Sequence, residues 1–186
     1  MPSNTGTSHV YGIERHTLCL TALNDPQTNR FALATLGITE PAEIHIVDFD
    51  SDDALLSSRV YKHAWGIRSL TSVPWDPALL VATDSSGNSA PQILKIPEDG
   101  SEGMEQIATL PQTSPDYTAH TVVAHPSTHC KDIAVVLLPS SAAGVVIYDL
   151  GQPGSPVVKY SIGGAGARSL HHMEDIEALA FHPTAS

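Results

Sequence analysis

Four side chains in the carboxy-terminal half have the types that bind zinc: His120, His125, His129 and Cys130, at spacings of five, four and one. Structural zinc sites favour C-x-x-C or H-x3-5-H pairs set at defined turns. Here the group straddles a strand-like run and its turn, and His125-Pro126 already has a turn role. We read them as turn and edge histidines and assign no metal. Asp48, Asp50, Asp52 and Asp53 gather carboxylates of the kind calcium takes. No D-x-D-x-D-G loop with a distal Glu accompanies them, so a solvated turn is the reading. Gly163, Gly164 and Gly166 lie in G-G-A-G-A-R. A phosphate loop needs a following Lys-Ser/Thr and an opening helix, and neither follows. G-x-S-x-G and H-E-x-x-H are absent, so no catalytic or cofactor-binding residue is assigned.

The remaining histidines and acids have a structural reading. His172 and Asp175, in H-H-M-E-D-I-E-A-L-A-F-H-P at 171–183, precede an alternation of Leu179 and Phe181 with Ala178, Ala180 and His182. Strict alternation argues for a half-buried strand. A His followed by an acid-aliphatic pair and Leu-x-Phe-x-Pro is how the first strand of a WD-type blade begins. A His–Asp hydrogen bond is expected there between loop and strand. His63 is expected to do the same work in the second unit, with Asp48 and Asp149 as repeat positions at the ends of strands. Trp65 and Trp75 are the informative aromatics. Trp75, in P-W-D-P, suits either partial exposure as a contact anchor or packing against its own sheet.

The same grammar recurs upstream of these residues. Strand-like runs fall at 17–23, 30–38, 43–49 and 57–63, then 66–73, 78–83, 91–96 and 105–110, then 120–124, 131–138, 145–150 and 156–162. Turn prolines at Pro26, Pro77, Pro126 and Pro183 are separated by 51, 49 and 57 residues. Third-strand ends at Asp48, Pro97 and Asp149 are separated by 49 and 52. Two landmarks keep one period, helical spacing is absent, and β-branched residues fill the apolar runs. The expected fold is all-β: a partial WD40-type β-propeller of about three four-stranded blades (14–63, 64–111, 117–163) and the first strand of a fourth within 172–186. Residues 1–9 read as disordered, and 10–13 as a lone strand that would close a ring.

Composition narrows the function. Nine basic residues against 20 acidic give −11, which disfavours nucleic acid and anionic membrane surfaces as partners. The amino terminus lacks a basic and an apolar signal region, so secretion is not expected. No apolar run reaches about 18 residues, and no membrane insertion is expected. Cys19 and Cys130 sit in apolar strand-like surroundings and read as buried, reduced thiols. A cytosolic protein, or one peripheral on an organelle, is the expectation.

Tyr11-Gly12, I-H-I-V-D-F-D at 44–50, K-H-A-W-G-I-R-S-L-T-S-V-P at 62–74, A-L-L-V-A-T at 78–83 and V-V-I-Y-D-L at 145–150 resemble the amino-terminal half of the WD-repeat EARP and GARP complex-interacting protein family. The resemblance spans residues 10–183 and is specific at 44–50 and around His63. It implies a cytosolic, non-enzymatic propeller of about seven blades, without cofactors. Its implied partners are GARP/EARP-type tethering complex subunits in endosomal recycling and endosome-to-Golgi retrograde transport, at endosomes and the trans-Golgi network. It also implies that this chain is a fragment or a truncated gene product, with further repeats encoded downstream. Two other readings stay open on the same fold: a substrate receptor of a ubiquitin ligase, and a propeller enzyme such as a metal-dependent lactonase.

Overall fold

The computed structural model describes residues 8–25, 28–37, 40–87, 89–98, 101, 103–112, 117–139, 144–163 and 179–181. Among them it is all-β, with three four-stranded antiparallel sheets each wound in chain order. Blade one holds β1 (Thr17–Ala22), β2 (Asn29–Thr35), β3 (Ala42–Asp50) and β4 (Leu55–His63). Blade two holds β5 (Ile67–Val73), β6 (Asp76–Asp84), β7 (Gln92–Lys95) and β8 (Glu105–Thr109). Blade three holds β9 (Tyr117–Ala124), β10 (Asp132–Pro139), β11 (Gly144–Asp149) and β12 (Val157–Gly163).

Alternation along each strand splits its side chains between two faces. On β2 and β3, Ala32, Ala34, Ile44 and Ile46 face blade two and meet Leu70, Leu80, Ala82, Leu94 and Ile96. The other face of blade two presents Val73, Leu79, Val81 and Ile93 to Ile133, Val135, Val146 and Tyr148 of blade three. Each fully buried aliphatic side chain is worth roughly 1.5–3 kcal/mol of transfer free energy. The core is therefore divided into two slabs between blades, and no blade has one of its own. The blades fan from their first strands, since β1 packs on β5 and β5 on β9.

Polar links fix the stack at the same strands. Ser72 Oγ donates to Ala22 O at 2.6 Å and Asn24 Nδ2 to Pro74 O at 2.9 Å, tying blade one to blade two. Ser69 Oγ accepts from Val122 N at 3.2 Å, tying blade two to blade three. The connector between blades one and two passes so close to its neighbours that a Cβ on Gly66 would lie 2.4 Å from Ser85 Oγ. Gly87, at φ +72, has a left-handed backbone, and a Cβ there would lie 2.8 Å from the Thr118 side chain.

The three first strands share an irregularity that the sequence pattern did not reveal. Each carries a β-bulge, and the residues skipped in the pairing are Leu18, Arg68 and His120. Those positions are 50 and 52 apart, so the bulge belongs to the repeat. A bulge re-aims the side chain it displaces.

One expected strand is corrected. Residues 10–13 form no strand; Val10 is 88% exposed. The segment instead lies across the outer face of blade one. His9 packs on Phe49, the Tyr11 hydroxyl meets His45 Nδ1 at 2.9 Å, and Arg15 bonds Glu40 and the Pro41 carbonyl. Side-chain bonds to β3 hold it there, in place of a backbone ladder. Of the first strand expected for a fourth blade within 172–186, Leu179–Phe181 are described, without strand structure, and the rest lies outside the described residues. His172, Asp175, Gly164 and Gly166 lie outside the described residues.

Candidate functional site

The chain crosses each blade so that all strand ends fall on two opposite rims. One rim carries the β1–β2, β5–β6 and β9–β10 hairpins. The other carries the connectors between blades, together with the bulges.

The hairpin rim is acidic. Asp50 Oδ1 accepts the amides of Asp52 and Asp53, making a tight turn. Asp48 pairs with Arg30, its cross-strand neighbour, and with Arg59 at 4.0 Å. Asp149 Oδ1 accepts Gly151 N at 2.7 Å, and Asp132 takes the Lys159 ammonium at 2.9 Å. That contact raises the pKa of Lys159. Asp48 and Asp149, alike in the repeat, thus serve one as an ion-pair partner and the other as a turn cap.

The zinc-type residues are divided between rims. His120 lies at the connector rim, whereas His125, His129 and Cys130 belong to the hairpin after β9. His125 is buried, its Nδ1 accepting from Ser127 N and its ring lying against Phe181. Among the described residues no cluster of three or more His, Cys, Asp or Glu side chains is arranged for a metal. Both cysteines are free thiols, and burial pushes Cys19 up to about 11, which leaves it protonated and unreactive near neutrality.

The connector rim is built differently. His63, at the end of β4, was expected to meet an acid. Its Nδ1 lies 2.9 Å from the Trp65 carbonyl and its Nε2 3.1 Å from Gln92 Oε1. The carbonyl requires a proton on Nδ1. Trp65 meets the His63 ring edge-on at 4.5 Å. Beside them an open cleft of about 260 Å³ lies between the outer strands of blades one and two, lined by Lys62, Trp65, Gln92, Leu94, Met104 and Gln106 among others. Trp75 takes the alternative role: it packs on the core between blades two and three, and its Nε1–H is buried without a partner.

Further in on the same rim, two bulged residues touch. Arg68 Nη1 lies 2.9 Å from His120 Nε2, and Arg68 Nη2 donates to Ser85 O at 3.1 Å. His120 therefore accepts on Nε2. Burial first, and the Arg68 charge second, hold its pKa below the ordinary 6.5. A lowered histidine pKa stabilises the fold while the ring is neutral in both states, and that contribution is lost as pH falls from about 6.5 through the folded value. Thermal melts between about pH 7 and about pH 5 should show a steeper loss of stability in the native chain than in His120→Gln. Parallel pH profiles would contradict the contact.

Three four-stranded blades stacked radially on their first strands define a partial β-propeller of the WD40 type. Solved structures agree. Sqt1 from Chaetomium thermophilum matches 92% of this chain with a TM-score of 0.60 at 15% identity. Sqt1 of the same fungus, bound to the N-terminus of the ribosomal protein L10, matches 81% with a TM-score of 0.54 at 16% identity. The chain spans 40% and 38% of the length of those two chains. No protein-family model and no curated protein matches the sequence.

Proposed function

We propose that the chain is a non-catalytic WD-repeat scaffold that binds protein partners, and that those partners are subunits of GARP- or EARP-type tethering complexes. It would act in the cytosol, peripherally at endosomes and the trans-Golgi network. The observation that supports protein binding is the connector rim, where a half-buried tryptophan beside an open cleft stands on two rigidly packed blades. Binding energy concentrates at such aromatic anchors. Sqt1 offers a precedent on the same fold, having been solved with the N-terminus of a ribosomal protein. The trafficking assignment rests on the resemblance at 44–50 and 62–74.

Affinity purification of the tagged chain from cells should recover tethering-complex subunits, and recovery should fall when Trp65 is changed to Ala. Purification that recovers none of them would overturn the trafficking reading. A cullin adaptor in their place would favour the ubiquitin-ligase receptor.

A further inference from the structure

We infer that the connector rim of blade two is a docking surface for an extended acidic segment of a protein partner. One apolar side chain of that segment enters the cleft beside Trp65, and a carboxylate is held by Arg68. The inference rests on the protein-binding reading and names the partner's chemistry.

The charge arrangement carries it. The chain is strongly acidic, yet most of the carboxylates among the described residues gather at the hairpin rim. At the connector rim, Glu40 and Glu43 are tied to Arg15, and Asp84 is buried and accepts from Ser86; Glu14 remains exposed nearby. Arg68 is exposed and, among the described residues, has no carboxylate partner; both its acceptors are neutral. Two of its five N–H groups are engaged, which fixes the plane of the guanidinium and leaves three donors. A braced fork of this kind suits a carboxylate better than a mobile ammonium does. Trp65 and Gly66 lie on the connector that leads into β5, where Arg68 is the bulged residue, so cleft and guanidinium sit at one end of one blade. Lys62 on the cleft adds a second exposed cation. Exposed Gln106, on the cleft, offers an amide group to an extended backbone. Nothing comparable favours a nucleic acid, which needs a track of cations that the described residues of this rim do not form.

Fluorescence anisotropy with a labelled, alternating Glu/Leu octapeptide tests the inference on the full chain. The expected result is saturable binding that an alternating Lys/Leu peptide does not reproduce. Arg68→Gln and Trp65→Ala should each weaken it about tenfold, and Asp52→Asn on the opposite rim should leave it unchanged. Circular dichroism melts check that each variant folds. Should Arg68→Gln fail to fold, Arg68→Lys keeps the charge, loses the fork, and should still weaken binding several-fold. No saturable binding, equal binding of the Lys/Leu peptide, preference for oligouridylate, or indifference to both rim variants would each overturn the inference. Purification of tethering subunits that is unaffected by Arg68→Gln would leave the protein-binding reading standing and remove this one. Failure to recover any specific partner would remove both.

Discussion

Leu80→Ala lowers the stability of the chain by about 2–5 kcal/mol, whereas Phe31→Ala, at the matching position one blade earlier, costs no more than about 2 kcal/mol. The bulges set the equivalence. Counting from the skipped residue, Phe31 on β2, Leu80 on β6 and Ile133 on β10 occupy one place in the repeat. Leu80 and Ile133 are 0% exposed because each faces the preceding blade, and Phe31 is 38% exposed because, among the described residues, no blade covers that face of blade one. The larger side chain is therefore the cheaper to truncate. Denaturant melts of both variants check the order, and equal or reversed costs would show that the blades do not share their faces in this way.

Thr83→Val removes a bridge between blades without changing side-chain volume. Thr83 is buried on β6; its Oγ1 accepts from Ser69 N at 3.1 Å and donates to His120 O at 3.1 Å. One hydroxyl thus joins the two bulged strands β5 and β9. Valine would leave an amide and a carbonyl without partners, each worth roughly 1–3 kcal/mol when buried. The expected loss is about 2–4 kcal/mol, with Thr83→Ser recovering most of it. Urea melts showing Thr83→Val as stable as the native chain would contradict the bridge.

Most of the fold could be read before the structure. Alternation such as Ile44, Ile46 and Asp48 against His45, Val47 and Phe49 marks a strand buried on both sides, and the proline turns gave the period. Strand limits follow those expectations to within a few residues. Residues 10–13 could not be read correctly, because four apolar or small residues in a row say nothing about whether a ladder partner exists. The Tyr11–His45 contact that places them joins positions 34 apart. The connector-rim cleft was hidden for a similar reason: Trp65, Gln92, Met104 and Gln106 come from a connector and two strands of different spacing. The Arg68–His120 pair did leave a signal. The two residues are 52 apart, one repeat, and aligning the blades by that period would have put them side by side. His63 meets the Trp65 carbonyl and the Gln92 side-chain amide where an acid was expected, a choice no spacing determines.

The stacking of blades through matched faces is tested most directly by methyl–methyl nuclear Overhauser contacts in the selectively labelled chain. The structure predicts contacts from Ile44 and Ile46 to Leu80 and Leu94, and from Val81 and Ile93 to Ile133, Val135 and Val146. Contacts confined within each four-stranded sheet, with none between successive sheets, would contradict the account.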